Sequence, residues 1–116
     1  MLFRSAKYLV NEYQCCVVVS GETDFVIAKE QVVSLKNGSK MMPYVTGTGC
    51  RLRALTGAFA AVGEHTGLAA AAIMGIAGEI ATELANGPGS LQVNLLDTLY
   101  QLDEASIRAR IKLAVC

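Results

Sequence analysis

The sequence has no tryptophan, one histidine and two prolines, and its charges cancel. Each shortage excludes something. Ten basic side chains balance ten acidic ones, and no basic run stands out, so nucleic acid finds no electrostatic footprint. The few aromatics do not form a stacking platform. The single histidine, His65, sits beside Glu64 with no partner at ligand spacing, so no metal centre is expected. Among four cysteines there is no C-x-x-C pair, and neighbouring Cys15 and Cys16 would point to opposite faces of a strand. Four free thiols and a reducing compartment, the cytoplasm, are therefore expected. The longest apolar stretch, residues 67–78, is too short to span a bilayer, and the first residues lack the apolar region of a secretory signal. No membrane partner is expected. Charged residues make up only 17% against 53% hydrophobic, which excludes disorder and predicts a core buried on several sides. A chain of 116 residues is one domain or part of one.

Hydrophobic spacing gives the elements. Residues 5–13 read as a helix with Ala6, Leu9, Val10 and Tyr13 on one side. Residues 14–20 are an apolar run rich in β-branched side chains, which predicts a strand buried on both faces. Helix followed by buried strand is the pattern of α/β layering. Residues 25–28 and 31–35 predict a hairpin, and Asn37-Gly38 marks a turn. Beyond Cys50 four helices are expected. The first ends near Gly63. The second runs over residues 67–85, capped by Thr66, with Ile73, Ile76, Ala77, Ile80 and Leu84 as its apolar stripe. The third starts at Ser90 as N-cap, with Leu91, Leu95, Leu99 and Leu102 facing inward. The fourth is capped by Asp103, with Ile107 and Ile111 buried and Arg108, Arg110 and Lys112 exposed.

The stretch that organises the chain is Val45-Thr46-Gly47-Thr48-Gly49-Cys50, running into Arg51-Leu52-Arg53 and a small-residue helix. Two glycines leave the turn bare, so backbone N–H groups can approach an anion, and the helix dipole points its positive end at the same place. Cys50 falls in the first helical turn, where that dipole favours a thiolate. Taken alone, such a turn is most often only a tight connection.

Several separate motifs lie in order around it: Val17-Val18-Val19-Ser20-Gly21-Glu22-Thr23-Asp24, Met74-Gly75-Ile76-Ala77-Gly78-Glu79, Gly87-Pro88-Gly89-Ser90 and Leu95-Leu96-Asp97-Thr98-Leu99-Tyr100. Together with the glycine turn they resemble the hydroxyethylthiazole kinase family of thiamine salvage, over the C-terminal half of its length. The resemblance implies that residues 1–116 are a single partial domain, α/β in class, like the C-terminal half of a ribokinase-like three-layer α/β/α sandwich. It implies ATP-dependent phosphorylation of a thiazole alcohol, 4-methyl-5-(2-hydroxyethyl)thiazole, with magnesium, in a homotrimer with active sites between subunits.

Carried over residue by residue, the resemblance makes Cys50 the catalytic base that takes the hydroxyl proton. Ser20, Thr46, Thr48 and Gly49 fall at the ATP and phosphates, and Gly47 at the substrate. The family has threonine at the position of Ser20, and serine keeps the hydroxyl. Asp24 is expected to fix the following turn. The family's substrate pocket, magnesium-associated carboxylates and an ATP-contacting arginine lie in the half that has no counterpart here, so no metal ligand is assigned. Arg51 and Arg53 depart from the family's small or uncharged residues, and either steady a thiolate, obstruct the pocket or face solvent. Glu79 and Glu83, one turn apart, read as a solvated face, and the Ala/Gly helix as close packing. Two rival readings are a non-catalytic remnant serving as an assembly partner of a split kinase, and a small nucleotide-binding module.

Overall fold

The computed structural model describes residues 2–116; Met1 lies outside the described residues. Helix α1 (Leu2–Tyr13) leads to strands β1 (Val17–Val19), β2 (Asp24–Ile27) and β3 (Val32–Leu35). A 3-10 turn, Met42–Tyr44, precedes α2 (Thr48–Ala61), α3 (Leu68–Glu83), α4 (Pro88–Gln101), α5 (Glu104–Arg110) and β4 (Leu113–Val115). The strands form one antiparallel sheet in the order β1-β2-β3-β4. The predicted hairpin is present, closed by the Ala28 N–H on the Gln31 carbonyl at 2.8 Å. Alternation of side chains splits the sheet's two faces. Val17, Val19, Phe25, Ile27 and Val32 pack against Ala6 and Val10 of α1. On the other face Leu35 packs against Ala71 and Ala72 of α3. Helix, sheet and helices thus make three layers.

Two expectations at the start of the chain are corrected. Leu9 and Tyr13 are exposed, because α1 buries only the narrow stripe of Ala6 and Val10 against the sheet. The strand does not begin at residue 14. Gln14 adopts a left-handed conformation that ends the helix, Cys15 is exposed, and the three valines of β1 are half-buried along an edge.

The small residues of α3 decide the second layer. Ala70, Ala71, Ala72, Gly75, Ala77, Gly78 and Ala81 are buried, whereas Leu84, expected on the apolar stripe, is exposed. The helix lies between neighbours on several sides, so closeness of approach, rather than side-chain size, selects its buried face. Met74, Ala77 and Ala81 meet Leu91 and Leu95 of α4 and Val45 before the glycine turn, forming the main core. Thr66 helps start α3 by accepting from the Leu68 N–H at 3.1 Å, with left-handed Gly67 as the N-cap. Ser90 caps α4 from inside: α4 starts two residues earlier, and the Ser90 hydroxyl accepts from the Asn86 N–H at 2.8 Å. Asp103 caps α5 as expected, accepting from the Ser106 N–H at 2.8 Å.

The end of the chain differs from expectation. Helix α5 stops at Arg110, Ile111 is extended and partly exposed, and residues 113–115 pair with β3. The open edge of β3 offers a row of unpaired backbone groups, and joining it satisfies them. Among the described residues no helix is long and apolar enough to cross a membrane.

Candidate functional site

The glycine turn sits at the floor of an open groove of about 1030 Å³. Gly47 is the N-cap of α2 with φ of 90°, a left-handed conformation that glycine adopts without steric cost. No side chain caps this helix end, so the N–H groups of Thr48, Gly49 and Cys50 keep the unsatisfied donors that every helix start leaves. A Cβ at Gly47 or Gly49 would meet nothing within 4 Å, so space for a ligand lies directly over the turn. The Thr48 hydroxyl donates to the Val45 carbonyl at 2.9 Å, which ties the turn to the preceding segment. Its backbone N–H, rather than its side-chain proton, is left for an anion.

Ser20 lies at the end of β1 and is exposed on the same groove. The structure therefore brings together Ser20, Thr46, Gly47, Thr48 and Gly49, which are 26 or more positions apart along the chain from strand end to turn. It does not bring Cys50 into the lining. Cys50 is exposed on the third residue of α2, beside the groove. Asp24 fixes the turn after β1, accepting from the Gly21 N–H at 3.0 Å. Burial pushes its carboxyl above the usual range, and the bond from Gly21 offsets part of that rise.

The residues after Cys50 separate. Arg53 is exposed, while the Arg51 Nη1 is buried with no hydrogen-bond partner. His65 is exposed in the link between α2 and α3. Glu79 is not part of a solvated face. Its carboxylate is buried against residues 37–38 and flanked by Arg110 and Lys112. Glu83 is exposed and holds Arg110 through two bonds of 2.8 and 2.9 Å; they keep its carboxyl below the usual range.

One part of the groove wall was not anticipated from sequence. Residues 36–40 line it, including Lys36 and Lys40, neither of which forms an ion pair among the described residues. The only available signal was the lysine spacing around the Asn37-Gly38 turn. Glu22 and Asp24 are the acidic side chains of the lining. Among the described residues no group of three or more His, Cys, Asp or Glu is placed to hold a metal. The groove thus has backbone donors suited to an anion, with two carboxylates in the same lining.

A sheet between helix layers, with a bare glycine turn opening a helix into a groove, defines part of a ribokinase-like α/β kinase fold. The chain belongs to the hydroxyethylthiazole kinase family, whose model matches residues 1–105. A hydroxyethylthiazole kinase from Vibrio parahaemolyticus is 64% identical over 111 residues, spanning 96% of this chain and 42% of the relative. One from Syntrophus aciditrophicus is 47% identical over 112 residues, again spanning 42% of the relative. The solved structure of a hydroxyethylthiazole kinase from Pyrococcus horikoshii superposes with a TM-score of 0.89 at 38% identity, covering 98% of this chain and 47% of that one. The chain therefore spans less than half the length of the relatives it matches.

Proposed function

We propose that this chain is the phosphate-binding half of a hydroxyethylthiazole kinase, acting on ATP and the hydroxyethyl group of 4-methyl-5-(2-hydroxyethyl)thiazole. The observation that carries the reading is the uncapped start of α2 opening onto the groove, with Ser20 on the same surface. In this reading the N–H groups of Thr48, Gly49 and Cys50 receive the transferred phosphoryl group, helped by the helix dipole. Thr46 and Ser20 contact the nucleotide, and Gly47 lets the alcohol approach the turn. The alcohol oxygen bonds to the γ-phosphorus as the bond to the β–γ bridging oxygen breaks, and ADP leaves. Cys50 takes the alcohol's proton. Its position beside the lining agrees with a base that meets the substrate from a surface this chain does not supply. Phosphoryl transfer through a loose transition state depends chiefly on positioning and charge, so the amides contribute more than the thiol.

Magnesium, which the reading implies, is bound in phosphate sites by one or two carboxylates together with the phosphates, and Glu22 and Asp24 are the carboxylates this groove would offer it. A homotrimer is part of the same proposal. Its support is a stripe of exposed apolar side chains on α4, Val93, Leu96 and Tyr100, at helical spacing.

The limited span of the relatives also favours a second reading, a non-catalytic assembly partner of a split kinase. One experiment separates them. The purified chain is assayed for ATP-dependent formation of the thiazole phosphate, alone and co-expressed with the N-terminal half of a full-length relative. In this reading the other half completes the pocket that holds the reactants together, an advantage worth up to roughly 7–11 kcal/mol, so no turnover is expected from the chain alone. The pair is expected to turn over, and Cys50→Ser to slow it. Turnover by the chain alone would defeat the half-site reading. A stable but inactive pair would leave the assembly-partner reading.

A further inference from the structure

The groove wall formed by residues 36–40 is held from behind by an unusually complete set of bonds. Asn37 is buried, and its whole amide is used. Its Nδ2 donates to the Glu79 Oε1 at 3.1 Å and to the Arg110 carbonyl at 2.7 Å, while its Oδ1 accepts from the Lys112 N–H at 2.8 Å. The Gly38 N–H also donates to the Glu79 Oε1, at 3.1 Å. One carboxylate oxygen therefore fixes two consecutive residues of the loop. Glu79 keeps only 14% of its side chain exposed, with the Lys112 Nζ at 3.8 Å and an Arg110 nitrogen at 4.0 Å. These cations offset the cost of burying the charge. Gly75, one turn before Glu79, lets α3 lie directly against Asn37.

The other side of the same loop faces the groove. Lys36 and Lys40 flank the anchored pair and line the groove whose floor is the α2 N-terminus. Anchored at Asn37 and Gly38, the loop has little freedom to withdraw the two cations. We propose that residues 36–40 are a second phosphate-binding wall of the groove that the glycine turn also lines, with Lys36 and Lys40 as its cations, and that Glu79 is the positioning residue that holds it. Glu79 touches no ligand; it acts through Asn37 and Gly38. The inference rests on the ATP reading for the ligand, and on the loop geometry for the anchor.

The test follows the full chain by NMR, reading amide exchange at Gly38 and titrations with ATP and with inorganic pyrophosphate at low salt. In Glu79→Ala, Gly38 exchange is expected to rise about tenfold while the amides of α3 stay protected, and both ligands to weaken about tenfold, the scale of one hydrogen bond to a charged acceptor. Glu79→Gln keeps an acceptor oxygen and is expected to stay within about threefold of the parent. The Lys36→Ala/Lys40→Ala double variant is expected to weaken both ligands and flatten their salt dependence without changing Gly38 exchange. Should Glu79→Ala fail to melt cooperatively, Glu79→Asp, which draws the carboxylate back by one methylene, is held to the same criteria. Unchanged Gly38 exchange in the folded variant, or Glu79→Gln as damaging as Glu79→Ala, would overturn the anchor. Parental affinity in the double lysine variant would overturn the wall. A parent that binds neither ligand would remove the ATP reading, and the anchor would be judged by exchange alone.

Discussion

Two glycines of α3 make a paired test of how the groove is built. A Cβ added at Gly75 would lie 2.9 Å from the Asn37 Cβ, 3.1 Å from its carbonyl carbon and 3.2 Å from its carbonyl oxygen. Those atoms belong to a backbone fixed by Glu79, Arg110 and Lys112, so they cannot yield without breaking hydrogen bonds. A Cβ added at Gly78 would meet Met42 instead, with its terminal methyl at 2.7 Å and its Cγ at 3.2 Å. The end of a methionine side chain turns aside at small cost. Both substitutions gain roughly 1 kcal/mol of helix propensity. Against that, Gly75→Ala carries an overpacking cost of roughly 1–3 kcal/mol. It also loses part of the Asn37 bonds, each with a net worth of about 0.5–1.5 kcal/mol. The balance is a loss of about 1–3 kcal/mol for Gly75→Ala and a change within about 1 kcal/mol for Gly78→Ala. Urea midpoints of the two variants and the parent measure the difference. The same titrations with ATP used above should show Gly75→Ala weakening the ligand, since the loop it displaces carries Lys36 and Lys40. A Gly75→Ala chain as stable as Gly78→Ala would refute the rigid loop, and with it the reason α3 has glycine there.

Two further outcomes follow from single side chains. Burial raises the Asp24 carboxyl above 3.8, so ionising it costs the folded state; the cost is full above the folded pKa, fades as pH falls through it, and vanishes below the unfolded value. Asp24→Asn retains an acceptor for the Gly21 N–H and is expected to be more stable than the parent at pH 7 and equal to it near pH 3, measured by urea midpoints; an advantage that grows as pH falls would contradict the assignment. Arg51→Met keeps the stem while removing a buried, unpartnered nitrogen, and is expected to gain about 1–2 kcal/mol, the scale of burying a polar group without a bond. A loss of stability in the same denaturation assay would show that the guanidinium is satisfied.

What the sequence discloses is what adjacent residues decide. The turn at residues 46–50 was legible because its glycines, its helix start and its donors lie within one short stretch. Asp103 was legible as a cap for the same reason, and the β2–β3 hairpin because its strands are four residues apart; α3 takes Gly67 as its N-cap, one residue beyond the expected Thr66. Glu79 was not, because its partners Asn37 and Gly38 lie 42 and 41 residues away, and a carboxylate spaced one turn from another reads as surface until those partners are known. Strand β4 was not, because three exposed residues become a strand only where β3 leaves an edge open. The buried face of α3 was legible in part: Ile76 and Ala77 of the expected stripe are buried, whereas Leu84 is exposed, and the small residues Ala70, Ala71, Gly75 and Gly78 widen the contact beyond what hydrophobic spacing marks.

The charges of the groove limit what the chain can do with a triphosphate in the proposed reading. Its lining carries Lys36 and Lys40 against Glu22 and Asp24, so the formal charges cancel. What remains is the helix start, equivalent to roughly half a positive charge. A triphosphate brings several negative charges, which that residue of potential cannot balance. In that reading the two lysines and the turn orient phosphates, because all line one groove and the loop carrying the lysines is anchored at Asn37 and Gly38. In the proposed reading, neutralising the charge that moves during transfer needs cations beyond these two lysines. Two tasks are therefore separate in the proposed reading: positioning the phosphates, for which the turn and the anchored loop are arranged, and compensating their charge, for which the groove's own side chains do not suffice.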